Sequence, residues 1–162
     1  MDEISIVRAG VERLDELVDY WRLLHRHQSS LCADVAGVDV LSEDASAEIV
    51  REQYREILSR DGSFALFAED GGRPVGYLLA YFEEPHFMWD TRRVGHVDSF
   101  YVLPETSGRG VGRLLMDAAY EAMRDADASM VALEVVAKND IARRFYDQQG
   151  FTETFVQMHR AL

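Results

Sequence analysis

A glycine-rich segment in the second half of the chain has residue types and spacing suited to binding a phosphate group. It reads Ser107-Gly-Arg-Gly-Val-Gly112, and it lies between an apolar run and a helix-forming run. Glycine permits positive φ and removes the Cβ that would block an approaching ligand. N–H groups of the loop and of the following helix N-terminus can then converge on an anion. Because Arg109 and Arg113 add positive charge, the segment predicts a binding loop for a pyrophosphate or similar anion.

Two common nucleotide motifs do not fit this loop. A P-loop requires G-x-x-x-x-G-K-[ST], and the sequence contains no such run. The dinucleotide fingerprint G-x-G-x-x-G fails because Leu115 stands where a third glycine would follow Gly110 and Gly112. Glu134 lies about twenty residues beyond the loop, as a ribose-binding acid would. Nucleotide binding therefore stays an alternative, although the antiparallel strands expected before the loop argue against it.

The elements that must position the loop follow from hydrophobic periodicity and turn residues. Strands are predicted at 4–8, 63–69, 74–82, 94–103 and 130–136, with one further strand, or two short ones, at 151–159; helices are predicted at 11–25, around 49–58, at 114–123 and at 139–149; residues 26–43 are predicted to be polar and irregular. Glu69-Asp-Gly-Gly72 indicates an antiparallel hairpin, and the strand–helix–strand unit from 94 to 136 indicates a right-handed parallel crossover. The expected α/β fold is a mixed sheet with helices on both faces, in a single domain spanning residues 1–162.

Composition narrows the classes of function. The chain has 17 basic and 29 acidic residues, a formal charge of −12, which argues against nucleic acid and anionic membranes as partners. Cys32 is the single cysteine, so no intramolecular disulfide can form and an intracellular protein is expected. The first residues do not resemble a signal peptide and no apolar run approaches the ~20 residues of a membrane span, so the cytoplasm is expected. His25 and His27 have no acidic or cysteine partner at metal spacing, so no metal is expected.

Two motifs resemble those of the GNAT acetyltransferase superfamily. One is the x-x-G-x-G spacing in which Arg109 precedes Gly110 and Gly112. The other is the segment 139–151, NDIARRFYDQQGF, which is similar to N-x-x-A-x-x-x-Y-x-x-x-G-F. The resemblance covers nearly the whole chain and implies a three-layer α/β/α fold with a mixed six- or seven-stranded sheet. It also implies an acetyl-CoA-dependent N-acetyltransferase. Ser107 stands where the family usually has Gln or Arg, which weakens one side-chain contact and leaves the backbone amides in place.

The resemblance also implies which residues hold acetyl-CoA, the co-substrate. Backbone groups of Phe100, Tyr101 and Val102 would face the pantetheine arm. The pyrophosphate would be held by Gly108, Arg109, Gly110, Val111, Gly112 and Arg113. Asn139 would contact the cofactor near its pantetheine, and Tyr146 would lie beside the thioester sulfur.

Acetyl transfer to an amine needs a base for the amine, N–H donors for the thioester oxygen and an acid for the leaving thiolate. Tyr146 is the candidate acid, since helical spacing places it on one face with Asn139 and Ala142. Because acetyl and amine are held together, no covalent enzyme intermediate is required.

Asp98 is the preferred base. An acidic residue at this position resembles spermidine/spermine-type acetyltransferases, and the period of two places it on one strand face with His96 and Phe100. Glu134, which matches the acid of ribosomal-protein alanine acetyltransferases, is the first alternative. His96 is the second, since an imidazole ordinarily exchanges protons near neutral pH.

The acceptor is expected to be a small-molecule amine or a protein N-terminus, and a cationic amine in particular. Acidic residues occur in the two stretches expected to border the acceptor, at Asp34 and Asp39 and at Glu83 and Glu84. The sequence is also compatible with a homodimer. The alternative function is a non-catalytic acyl-CoA sensor or interaction module of the same fold, which Ser107 slightly favours and which the retained motif residues oppose.

Overall fold

The computed structural model describes residues 3–33, 42–83 and 93–160. The strands are β1 (Ile4–Ala9), β2 (Phe64–Asp70), β3 (Arg73–Glu83), β4 (Val94–Val102) and β5 (Met130–Leu133), and the helices are α1 (Leu14–Cys32), α2 (Glu43–Ser59), α3 (Val111–Asp125) and α4 (Asp140–Gln148), with short 3-10 turns at Val11–Arg13 and Pro104–Thr106. The strands lie in the order β1-β2-β3-β4-β5. Neighbours are antiparallel except β4 and β5, which are parallel.

Helices cover both faces of the sheet, because side chains along a strand alternate between the faces. One apolar cluster joins α1 and α2 to one face, and its sheet residues include Phe67, Tyr77 and Leu79. A second cluster joins α3 to the other face, and its sheet residues include Leu78 and Val97. The expected three-layer α/β/α arrangement with a mixed sheet is confirmed.

The first helix is longer than its apolar periodicity predicts. Residues 26–32, expected to be irregular, form the last turns of α1. The side chain of Arg26 donates from Nε to Glu43 Oε2 at 2.6 Å, and Glu43 lies in the first turn of α2. Arg22 donates to the same carboxylate at 3.1 Å. These polar contacts between the helices hold the end of α1, and a hydrophobic pattern does not reveal them.

The predicted number of strands is wrong. Within the described ranges the sheet has five strands rather than six or seven, and the expected strand at 151–159 is not formed. Residues 152–160 are exposed, and β5 stops at Leu133 rather than continuing to position 136. A strand needs a neighbour that accepts and donates its backbone hydrogen bonds. A favourable composition at 151–159 does not supply that neighbour. None of the helices in the described ranges is long and apolar enough to span a membrane.

Candidate active site

The sheet opens between its two parallel strands. Pairs join β4 and β5 from Val94 with Met130 as far as Val97 with Leu133. Beyond that point β4 continues to Val102 while β5 has ended. The edge of β4 that faces β5 is therefore unpaired over its last five residues within the described part of the sheet. Asp98, within β4, and Glu134, just after β5, are the first residues beyond the last pair, so each side of the opening begins with a carboxylate.

A β-bulge places Asp98 at this opening. On the β3 side, Leu79 pairs with Ser99 and Ala80 pairs with Val97, which leaves Asp98 as the extra residue of β4. A bulge shifts the alternation of side chains along a strand. The predicted common face for His96, Asp98 and Phe100 is therefore wrong. His96 stacks on Tyr81 with ring centroids 4.9 Å apart, whereas Phe100 lies in the cluster on the opposite face.

The cofactor residues predicted on β4 lie along its unpaired edge. Phe100, Tyr101 and Val102 pair on their β3 side with Leu78, Tyr77 and Gly76. The opposite edge of the same segment has no strand beside it in the described ranges. Backbone N–H and C=O groups on that edge are available to an extended ligand, which is the arrangement that an amide-containing pantetheine arm requires.

The glycine loop ends in a helix N-terminus that lacks a side-chain cap. Gly110 is the N-cap of α3 with φ of +77°, and no side chain caps the helix. Its carbonyl accepts from the N–H of Leu114 at 3.0 Å. No acceptor lies within hydrogen-bonding distance of the N–H groups of residues 108 and 110–113, as far as the structure describes the chain. The first N–H groups of a helix carry a partial positive charge that favours anions.

The loop leaves open space where a ligand would approach. Gly108 and Gly110 both have positive φ, and a Cβ added at either would meet no atom within 4 Å. Gly112 differs, because a Cβ there would lie 3.3 Å from Cζ of Phe100 and 3.4 Å from Cζ of Phe145. The first two glycines thus keep a cradle open, whereas the third permits α3 to pack against aromatic rings.

The two arginines of the loop have acidic partners. Arg109 donates from Nη1 to Oδ2 of Asp70 at 2.5 Å, which connects the loop to the β2–β3 turn. Arg113 lies 3.7 Å from Asp117 one helical turn later and is largely exposed. Ser107 follows a 3-10 turn, and its N–H donates to the carbonyl of Pro104 at 3.0 Å. Most of the binding capacity of the loop therefore resides in its backbone.

Asp98 is solvent-exposed as a residue, yet protein atoms displace part of the water around its carboxylate. Partial loss of hydration raises its pKa above the usual range for aspartate, and the charge of Glu134 raises it further. The hydrogen bond from Ser99 Oγ to Oδ2, at 2.7 Å, acts in the opposite direction and lowers the pKa. His96 and Arg60 lower it by their charge. A carboxylate with a raised pKa is a better proton acceptor than an ordinary aspartate.

The two alternative bases have different surroundings. Glu134 is exposed and follows β5 directly. His96 is mostly enclosed, and its Nδ1 lies 3.6 Å from Oε2 of Glu83, beyond hydrogen-bonding distance. That nitrogen is buried and finds no hydrogen-bond partner in the described part of the chain.

Tyr146, the candidate acid, lies in an aromatic group at the end of α4. Its ring centroid lies 6.3 Å from Phe100, 5.5 Å from Phe145 and 5.6 Å from Phe151. Burial raises the pKa of its hydroxyl, so Tyr146 is a neutral phenol at neutral pH. The described residues offer that hydroxyl no hydrogen-bond partner. A phenol in this form can donate a proton or a hydrogen bond to a group that enters the site.

Asn139 caps the helix that carries Tyr146. Its Oδ1 accepts from the N–H of Ala142 at 3.1 Å. Its Nδ2 lies 3.4 Å from Nε2 of His27 near the end of α1. The motif asparagine thus caps the start of α4 and lies near the end of α1.

Glu83 is the predicted acceptor carboxylate that the structure describes. Tyr81 donates to Oε1 of Glu83 at 2.8 Å, and both lie on β3 near His96. Of the other predicted acceptor residues, Asp34, Asp39 and Glu84 lie outside the described residues.

Three buried hydroxyl residues escaped the sequence analysis. Tyr54 on α2, Tyr77 on β3 and Ser99 on β4 are hydrogen-bonded in a group that ends at Asp98. The one signal in the sequence was Ser99, a second polar residue directly after Asp98 and before the apolar end of β4. Tyr54 and Tyr77 were indistinguishable from ordinary core tyrosines.

Solved structures share this fold. A GCN5-related N-acetyltransferase from Ralstonia eutropha superimposes with a TM-score of 0.78 over 99% of each chain, at 19% sequence identity. An aminoglycoside N-acetyltransferase solved with CoA superimposes with a TM-score of 0.70 over 99% of this chain and 96% of its own, at 22% identity. Identities this low establish the fold alone, which is that of the GCN5-related N-acetyltransferases.

Sequence comparison gives the family. The profile of the acetyltransferase (GNAT) family matches residues 14–151, so the chain belongs to that family. An uncharacterised N-acetyltransferase from Archaeoglobus fulgidus is 33% identical over 103 residues, which are 62% of this chain and 67% of that protein. In three further curated relatives the matched region spans only 32% to 54% of their length. The predicted superfamily is confirmed.

Proposed function

We propose that this chain transfers an acetyl group from acetyl-CoA directly to a primary amine. The observation that carries the proposal is the opening of the sheet after Val97 and Leu133. It exposes an edge of β4 and places the Asp98 and Glu134 carboxylates beside it. The uncapped N-terminus of α3 follows the same end of β4 through a short loop.

The residues of the site fit acetyl-CoA. When bound, acetyl-CoA supplies the acetyl group as an activated thioester. The loop amides at 108 and 110–113 would hold the pyrophosphate, and the open edge of β4 at Phe100–Val102 would hold the pantetheine amides. Asn139 would fix the start of α4 beside the pantetheine, and so hold Tyr146 near the reacting sulfur.

Two side chains serve as the proton acceptor for the amine and the proton donor for the leaving sulfur. The Asp98 carboxylate accepts a proton from the incoming ammonium group, directly or through one water, which leaves a neutral amine able to attack. The Tyr146 hydroxyl holds a proton at the leaving sulfur. Free N–H groups on the edge of β4 donate to the oxygen on which charge develops.

A cationic amine is the acceptor that the charges favour. Glu83 lies beside His96, and Glu134 acts on Asp98 by its negative charge, so three carboxylates lie near the opening; His96 and Arg60 are the groups whose positive charge acts on Asp98. A net charge of −12 would also raise the local concentration of a cation and its rate of encounter. A polyamine, an aminoglycoside or a protein N-terminus has the required primary amine.

The test is release of free thiol from acetyl-CoA in the presence of a panel of polyamines, amino-acid derivatives, aminoglycosides and peptides. Acetyl transfer requires thiol release with at least one amine and a matching N-acetylated product by mass spectrometry. Binding of CoA without thiol release for any amine would contradict catalysis and would indicate an acyl-CoA-binding module instead.

Variants at the two carboxylates identify the base. Asp98→Asn should lower turnover most at neutral pH and less at high pH, where the amine is already deprotonated. Glu134→Gln is the matched control, since it also removes one carboxylate at the opening, and its effect should be milder. The reverse ranking would assign the base to Glu134.

A further inference from the structure

The bulge in β4 brings two neighbouring side chains together. In a regular strand, residues 98 and 99 would point to opposite faces and could not contact each other. Because Asp98 is the extra residue, its carboxylate lies on the side of Ser99, and Ser99 Oγ donates to Oδ2 at 2.7 Å. Ser99, which is buried, is thus hydrogen-bonded to Asp98 at the opening of the sheet.

Ser99 is in turn connected to two buried tyrosines. Tyr54 Oη donates to Ser99 Oγ at 2.7 Å, and Tyr54 Oη lies 3.0 Å from Tyr77 Oη. The exposed fraction is 2% for Tyr54, 0% for Tyr77 and 7% for Ser99, so water has little access to any of the three hydroxyls. The group spans α2, β3 and β4.

The hydrogen bonds of this group have one direction. Each hydroxyl has a single hydrogen. The hydrogen of Ser99 is directed to Asp98 and that of Tyr54 to Ser99, so Tyr77 must donate to Tyr54. Burial raises the pKa of both phenols, which are therefore protonated donors at neutral pH. Donors aligned in this way polarise one another toward the carboxylate at the end.

We propose that Tyr77, Tyr54 and Ser99 form a directed hydroxyl chain that positions the Asp98 carboxylate and keeps it ionised for acetyl transfer. This inference rests on the proposed function, since it takes Asp98 as the base. Ser99 and Tyr54 are positioning residues, because they act through Asp98 and do not contact the substrate.

Other charged and titratable groups also face Asp98, and their effects on it must be distinguished from that of the hydroxyl chain. They are His96 on β4, Arg60 after α2, Tyr81 on β3 and Glu134 after β5. Tyr20 on α1 is not one of these groups, since its hydroxyl donates to the carbonyl of Pro74. Substitutions at Ser99 and Tyr54 leave all of these in place.

The hydroxyl chain opposes the effect of burial on the pKa of Asp98. Burial alone favours the neutral acid, which cannot accept a proton. A hydrogen bond to a charged group corresponds to a shift of about 1 to 2 pH units when it is removed. Ser99→Ala should therefore move the acid limb of the kcat/KM profile upward by about that amount. Tyr54→Phe should move it in the same direction by less, since Ser99 can still donate.

The experiment combines this pH profile with a carbon-detected NMR titration of the Asp98 carboxyl in the protein without ligand. Ser99→Thr retains a hydroxyl and should restore the wild-type midpoint in both measurements. Tyr20→Phe is the matched control, because it removes another hydroxyl from the same core cluster and should leave both midpoints unchanged. Melting temperatures establish that each variant is folded.

The possible results test the hydroxyl chain independently of the proposed acetyl transfer. Parallel upward shifts in the NMR midpoint and the acid limb for Ser99→Ala support the proposal. An unchanged NMR midpoint in both Ser99→Ala and Tyr54→Phe overturns it, whatever the rates are. A shifted NMR midpoint with an unchanged acid limb overturns the role in catalysis, although thiol release by the enzyme would still stand. If no amine releases thiol, acetyl transfer fails, and the NMR titration still decides whether the chain controls Asp98.

Discussion

Replacing Gly110 with alanine tests whether the glycine loop binds the coenzyme phosphates, and Gly72→Ala provides a matched control. Both glycines have positive φ, +77° and +82°, and a Cβ added at either meets no protein atom within 4 Å. Gly110 caps α3 beside the free N–H groups, whereas Gly72 lies in the β2–β3 turn. The two substitutions therefore impose the same backbone strain at different places.

The loss of stability from backbone strain and the loss of stabilisation by CoA can be distinguished by their sizes. Left-handed backbone costs an alanine about 1 to 2 kcal/mol, so each variant without ligand should melt about 2 to 8 °C below wild type. At a CoA concentration of about 100 Kd the ligand stabilises the native protein by about 2.7 kcal/mol. If the added Cβ weakens binding about 100-fold, the stabilisation at the same concentration falls to about 0.4 kcal/mol.

The assay is thermal unfolding with and without CoA, followed by calorimetric titration. Wild type and Gly72→Ala should gain about 5 to 11 °C with CoA, and Gly110→Ala should gain about 1 °C. An equal gain for the two alanine variants would show that the loop does not bind CoA as described. Gly112→Ala is a poorer test, because its Cβ presses on Phe100 and Phe145 and would disturb packing.

Three further predictions concern the acid, the core and the acceptor. Tyr146→Phe should retain CoA binding by calorimetry and lose about 10²–10⁴ in turnover, the usual scale for a positioned proton donor; full activity would reduce Tyr146 to packing. Phe67→Ala should destabilise the protein by about 3 to 5 kcal/mol in chemical denaturation, since the ring is fully buried and lies under Arg13 and beside Tyr77. The exposed Ile141→Ala should change stability by less than about 0.5 kcal/mol, and similar losses for the two would contradict the described core. The kcat/KM for a diamine should exceed that for a neutral monoamine at low salt and lose this advantage as salt rises, since exposed charges more than about 8 Å apart are largely screened at physiological ionic strength. Equal values at both salt concentrations would remove the electrostatic basis for a cationic acceptor.

The sequence by itself determined the features that depend on neighbouring residues. Alternating glycines before a helix predict the open loop, because their backbone freedom is local. The segment from Asn139 to Phe151 predicts a helix with Tyr146 on one face with Asn139 and Ala142, because helical spacing is fixed over two turns. Hydrophobic periodicity located every strand and helix that the structure describes, and the two motifs were sufficient to predict the family that the profile confirms.

The tertiary structure alone decided how strands pair and which distant side chains meet. The bulge at Asp98 depends on the register with β3, so the predicted face shared with His96 and Phe100 was lost. The strand expected at 151–159 has no neighbour in the described sheet, and a strand cannot form without one. Tyr54 reaches Tyr77 across 23 residues and Ser99 across 45. Such contacts form only when α2 packs onto the sheet, so they cannot be predicted from the spacing of residues along the chain.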